Sequence, residues 1–131
     1  ARGVRWVNDS KATTLSALSA AVRICGSGTR LLAGGLLKEK DLAGVKEMLA
    51  KHVVGVYLIG RASEQMAAAW SDASPCHSCG TLDAAAARAW REARPGETIL
   101  LSPGCASFDQ FRNFEERGDR FREVARRLAG E

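Results

Sequence analysis

Three stretches of this sequence concentrate side chains able to do chemistry, and each has a mundane alternative. Asn8-Asp9-Ser10-Lys11-Ala12-Thr13 sets a carboxylate, an ammonium group and two hydroxyls just ahead of an Ala/Leu-rich helical pattern. Lys11 and the free N–H groups of a helix start attract anions, while Asp9 accepts hydrogen bonds from hydroxyls. The alternative is that Asp9 or Ser10 simply caps that helix. Gly34-Gly35-Leu36-Leu37-Lys38 lets the backbone approach a ligand closely and sets a cation beyond it, although a lone lysine is usually solvated. In Ser102-Pro103-Gly104-Cys105-Ala106-Ser107-Phe108-Asp109-Gln110-Phe111, Ser107 can donate to a carboxylate, and Ser107 or Asp109 can equally cap the helix that follows.

Cys76-His77-Ser78-Cys79 has the spacing of half a zinc site, or of a redox pair at a helix start. Zinc needs four ligands, however. No second Cys-x-x-Cys or His pair follows, and Cys25 and Cys105 stand alone. Nor does an apolar strand directly precede the motif, as a thioredoxin-like unit requires. Metal and redox chemistry are therefore not expected, and neither His52 nor His77 belongs to a Ser/His/Asp or Cys/His triad. A phosphate-binding P-loop would need Gly-x-x-x-x-Gly-Lys followed by Ser or Thr, which occurs nowhere. Gly26-Ser27-Gly28 follows a helix and lacks the third glycine of a dinucleotide fingerprint.

An alternation of extended and helical segments must hold these loops. Val4, Trp6 and Val7 read as a strand, and Leu15, Leu18, Val22 and Ile24 as a helix closed by Gly26 and Gly28. There follow a strand at Thr29 to Ala33 and a helix carrying Leu42, Val45 and Leu49, with Lys46, Glu47 and Lys51 outward. Val53 to Ile59 is nearly all apolar and rich in β-branched residues, the pattern of a strand covered on both faces. Ser63 to Trp70 and Thr81 to Ala93 are helical, and Pro95-Gly96 leads into a strand at Ile99 to Leu101. Phe111, Phe114, Phe121, Val124 and Leu128 then form the apolar stripe of a final helix, with Arg117, Arg120, Glu123 and Arg127 on its other face. This order predicts an α/β fold with a mostly parallel sheet and helices on both faces. Ligands in such sheets bind at the carboxyl ends of strands, where all three loops fall.

At 131 residues, 46% apolar and 26% charged, the chain makes a single domain able to build a core. No apolar run approaches the roughly 18 residues that span a bilayer, and no signal-peptide pattern opens the chain. The net charge of +4 is spread over interspersed acids and bases, which argues against nucleic-acid binding. Four cysteines without an export signal fit reduced thiols in the cytoplasm. Because the chain begins at Ala1 almost directly on a strand pattern, it reads as a domain of a longer polypeptide.

Trp6-Val7-Asn8-Asp9-Ser10-Lys11-Ala12-Thr13, Gly34-Gly35-x-x-Lys38, Leu58-Ile59-Gly60-Arg61, and the stretch from Leu101 to Phe111 with Asn113-Phe114-Glu115-x-Arg117-Gly118 resemble the C-terminal domain of the Mur ligases. Within that family the D-glutamate-adding branch is the nearest in kind. The resemblance implies a Rossmann-like domain over residues 1–131, with UDP-binding and ATP-holding domains lying outside it. It implies a bacterial, cytoplasmic ligase that phosphorylates UDP-MurNAc-L-alanine with ATP and joins D-glutamate to the acyl phosphate, Mg²⁺ being held mainly by the central domain. Carried over by motif, Thr13, Lys38, Ser107, Phe108 and Phe114 surround D-glutamate, with Lys38 and Ser107 at its side-chain carboxylate. By the same resemblance Asp9 binds the ATP ribose, and Lys11, the residue assigned to catalysis, lies toward the phosphates or the substrate carboxylate. No residue is assigned to a metal. The family's pattern is broken at Thr14, Leu36 and Gly104. A monomer is expected, silent on its own and a weak binder of free D-glutamate, because such sites complete on domain closure. The alternatives are a related Mur-type ligase for another amino acid, or a stand-alone Rossmann-like module with a metal or redox site at Cys76 and Cys79.

Overall fold

The computed structural model describes residues 2–39, 41–107 and 109–130. In chain order the elements are β1 (Arg5–Asn8), α1 (Leu15–Cys25), β2 (Thr29–Gly34), a 3-10 turn (Ala43–Val45) running into α2 (Lys46–His52), β3 (Val53–Ile59), α3 (Ser63–Trp70), β4 (Cys76–Gly80), α4 (Leu82–Glu92), β5 (Thr98–Leu101) and α5 (Phe114–Ala129). The strands form one sheet in the order β1-β5-β2-β3-β4, and every pairing is parallel. Among the described residues no helix is long and apolar enough to cross a membrane.

Period-two alternation in the central strands feeds two cores. Leu31, Ala33, Val56, Leu58 and Leu100 face a layer built by α1, α2 and α3, with Leu18, Val22, Leu49, Met66 and Trp70. Leu32, Tyr57, Ile59, Ile99 and Leu101 face α4 and α5, with Leu82, Ala86, Phe121 and Val124. Each fully buried Leu or Phe contributes about 1.5–3 kcal/mol. The strand at Val53–Ile59 is covered on both faces as its composition implies, except at Val54, which is 41% exposed.

Several local expectations are corrected. Ile24 is 86% exposed, because α1 turns Leu15, Leu18 and Val22 inward. Neither Asp9 nor Ser10 caps α1: Thr14 does, its Oγ1 accepting the Ala17 N–H at 3.1 Å. Nor does Ser107 or Asp109 cap α5, where Asn113 Oδ1 accepts the Glu116 N–H at 2.8 Å. Phe111 precedes that helix instead of lying on it. Arg117, expected on the outer face, is 1% exposed.

Cys76-His77-Ser78-Cys79 is itself a strand, β4, paired with β3 through Val56, Tyr57 and Leu58. On an extended backbone, residues three apart point to opposite faces. Cys76 accordingly packs against the α1–α3 core and Cys79 against the α4–α5 core. The sheet stands between the two thiols, so they can share neither a metal ion nor a disulfide. Burial raises the pKa of both, the reverse of an activated thiolate.

Candidate functional site

Because β5 lies between β1 and β2, the loop leaving it is central at the carboxyl edge. β2 continues into α2 on one face and β5 into α5 on the other, which makes the gap between them the switch point where ligands bind in open parallel sheets. The loop after β5 is bonded to the ends of all four other strands. The Asp9 N–H donates to Leu101 O at 2.8 Å and the Gly104 N–H to Ala12 O at 2.8 Å, which ties it to the loop after β1. The Gly34 N–H donates to Pro103 O at 3.0 Å, and Leu36 and Ala106 exchange N–H···O bonds of 2.9 and 3.0 Å, which ties it to the glycine loop. Asp109 Oδ2 accepts the Arg61 N–H beyond β3 at 3.0 Å, and Gln110 Nε2 donates to Gly80 O at the end of β4 at 2.8 Å.

The two glycines owe their identity to this packing. At Gly34, with φ of 124°, a Cβ would overlap the Ile59 carbonyl oxygen; at Gly35, with φ of 130°, it would fall 2.5 Å from Ala106 O. The close approach expected of a ligand is made here by neighbouring strand ends, so the glycines build the floor of the site.

Arg117 locks the floor from beneath. Its guanidinium donates to Ser10 Oγ at 3.0 Å, Ser10 O at 2.7 Å and Cys105 O at 3.0 Å. Ser10 Oγ in turn donates to Phe114 O at 2.6 Å. Burial pulls the Arg117 pKa down to about 10, partly countered by Cys105 and Asp109. No ion pair within 4 Å holds it among the described residues, so neutral oxygens carry a buried cation. The spacing signal for Arg117 was present: 114, 117, 121, 124 and 128 fall on one helical stripe, and a charge within it requires buried acceptors. Burial pushes the Cys105 thiol up to about 12, so it is inert at neutral pH.

On this floor the sequence-selected residues stand as follows. Lys11 is exposed and lines a cleft of about 250 Å³ with Asn8, Ser10, Phe114, Asp119 and Arg122. Thr13 is half-buried and Lys38 exposed, on segments joined by the Glu39 carboxylate, which accepts the Leu15 N–H at 2.6 Å. Ser107, next to Ala106, is 2% exposed. Phe108 lies outside the described residues. Asp9 is half-buried, accepts from Ser102 Oγ at 3.2 Å, and opens on the far side of the loop onto an apolar groove of about 410 Å³ lined by Val7, Ala17, Ala20, Ala21 and Ile24. The loops thus present two exposed ammonium groups and hydroxyls at one edge, with a carboxylate over an apolar groove beside them. Among the described residues no group of three or more His, Cys, Asp or Glu side chains could hold a metal ion.

A family model described as Mur ligase, glutamate ligase domain, matches residues 1–105. The chain belongs to this family. The Mur ligase domain is 47% identical over 126 residues to a protein of Myxococcus xanthus, a match covering 96% of the chain and 28% of that relative. It is 45% identical over 127 residues to one of Nitratidesulfovibrio vulgaris, covering 97% and 29%, and 42% identical over 122 residues to one of Chlamydia felis, covering 93% and 29%. All three relatives are named UDP-N-acetylmuramoylalanine–D-glutamate ligase. The Mur ligase domain therefore spans under a third of the length of these relatives, and the matches run past residue 105 into the Ser107–Gly118 stretch that joins the site to α5.

Proposed function

We propose that this chain is the amino-acid-accepting domain of a bacterial, cytoplasmic ligase that adds D-glutamate to UDP-MurNAc-L-alanine. The observation that carries the reading is the coverage of nearly the whole chain by relatives named for that reaction, together with the convergence of Lys11, Thr13, Lys38 and Ser107 segments on the switch point. In the proposed reaction the γ-phosphoryl group of ATP passes to the acceptor's carboxylate, releasing ADP. The D-glutamate amine then attacks the acyl carbon, phosphate leaves, the amine loses a proton and an amide remains.

The domain's share is binding and orientation. An acidic amino acid suits a cation flanked by neutral donors, the set that Lys38, Thr13 and Ser107 offer, with Phe108 and Phe114 as apolar walls. Asp9 suits ribose hydroxyls, and the apolar groove of about 410 Å³ beside it suits the flat face of a nucleoside. Lys11 is the cation nearest that carboxylate in sequence and is assigned to the phosphates or the reacting carboxylate. The family resemblance assigns Mg²⁺ mainly to the central domain, where it would neutralise charge at the phosphates. With no P-loop string in the chain, this domain alone is expected to leave ATP intact.

The test is a phosphate-release assay on the full reading frame, with UDP-MurNAc-L-alanine and a panel of amino acids. D-Glutamate is expected to be the preferred substrate, and Lys38→Ala to raise its KM by at least tenfold, the cost of losing a charge-assisted hydrogen bond of about 1.5–3 kcal/mol. Preference for another amino acid, or an unaltered KM, would refute the reading.

A further inference from the structure

We infer that Glu39 is a positioning residue for the amino-acid site, acting through Lys38 and Thr13; the inference rests on the D-glutamate reading above. Leu37, Lys38 and Glu39 belong to no helix or strand, so tethers on neighbouring residues hold Lys38 in place. One tether is the pair of bonds between Leu36 and Ala106. The other is Glu39, whose Oε2 accepts the N–H of Leu15, the first residue of α1, at 2.6 Å.

This bond has a physical rationale beyond its length. α1 carries no acidic residue in its own first turn, and Thr14 already serves the Ala17 N–H. The first amide of the helix and its positive end therefore take their anionic partner from another loop. Lys38 precedes Glu39, and Thr13 lies two residues before Leu15. One hydrogen bond thus ties together the two segments that carry an ammonium group and a hydroxyl on the proposed amino-acid site. Further along, Leu42, four residues from Lys38, is held separately, its carbonyl oxygen accepting from Trp70 Nε1 at 2.8 Å. Among the described residues no salt bridge joins Glu39 to Lys38, so the carboxylate is engaged by the helix instead of neutralising the lysine that a dianionic amino acid needs.

Steady-state kinetics of the full-length ligase, wild type and the Glu39→Ala and Glu39→Gln variants, provides the test. A wild-type enzyme that does not add D-glutamate overturns the functional reading and this inference with it. Given an active wild type, Glu39→Ala is expected to raise KM for D-glutamate on the order of tenfold, a misplacement effect, with KM for ATP and the unfolding midpoint of the ligase near wild type. Glu39→Gln keeps an oxygen able to accept the Leu15 N–H and is expected to stay within about threefold. An unchanged KM for D-glutamate in Glu39→Ala, an equal rise in both variants, or a parallel rise in KM for ATP would each overturn the assignment of a positioning role.

Discussion

Replacing Arg117 by alanine removes a buried side chain that bonds both the loop after β1 and the loop after β5. Its three hydrogen bonds end on Ser10 Oγ, Ser10 O and Cys105 O. With the guanidinium gone, two buried carbonyls lose a donor, at about 1–3 kcal/mol each, and the stem leaves a void. Against this, the desolvation cost of a buried cation disappears, which is itself several kcal/mol in effective terms. The net loss is expected near 3 kcal/mol. For a domain of this size that corresponds to a fall of roughly 10–15 °C in Tm. Arg117→Met fills most of the stem volume while leaving the same carbonyls bare, so it isolates the polar part and should recover about a third to a half of the loss. Thermal unfolding of the 131-residue chain by circular dichroism reads both variants, and amide exchange at Asp9 and Ala106 should accelerate in each. A Tm for Arg117→Ala within about 3 °C of wild type would refute the reasoning, since it would mean the network contributes under 1 kcal/mol.

Tyr57, the only tyrosine, donates to Glu92 at 2.6 Å and accepts from Arg30 at 2.9 Å, and burial followed by the Glu92 bond pushes its pKa from 10 up to about 12. A raised phenol favours folding fully below the unfolded value and loses that contribution as pH climbs from 10 toward 12, so tyrosinate absorbance should appear late and the unfolding midpoint should drop across that window; ionisation near 10 in the folded chain would contradict it. Gly35→Ala should cost roughly 3 kcal/mol or more, because φ of 130° excludes a side chain and Ala106 O stands 2.5 Å from the new methyl; urea unfolding measures it, and a loss under about 1 kcal/mol would count against the packing of the two loops. Mild oxidation of the folded chain should yield no Cys76–Cys79 disulfide, since the thiols face different cores; peptide mapping that finds one would contradict the β4 assignment.

The parallel fold was legible because its signal is local. Leu31, Leu32 and Ala33 and the run from Val53 to Ile59 declare buried strands by composition, and Gly26 stops α1 where a left-handed backbone, with φ of 77°, is needed. β4 was illegible for the opposite reason. It is an edge strand of Cys, His, Ser and Gly, with no apolar run and a register irregularity against β3, and only the open backbone edge of β3 makes it extended. The caps were misassigned because Ser, Thr, Asp and Asn serve equally well in isolation; where each helix starts is set by packing. Asp9 and Asp109 are thereby released from capping, the first to meet Ser102 and the second to meet the Arg61 amide.

Apart from β4, the sequence by itself determined the alternation of strands and helices, the family, and the three loops that hold the candidate site, since hydrophobic period and motif strings are properties of neighbouring residues. Only the tertiary structure decided that the β5 loop is the hub, that Arg117 is an internal clamp, that Glu39 meets the first amide of α1, and that Cys76 and Cys79 stand on opposite sides of a sheet. Whether a polar side chain is a solvated surface group or a buried connector depends on acceptors offered from far along the chain. For Arg117 and Ser10 that separation is 107 residues, and no local pattern encodes it.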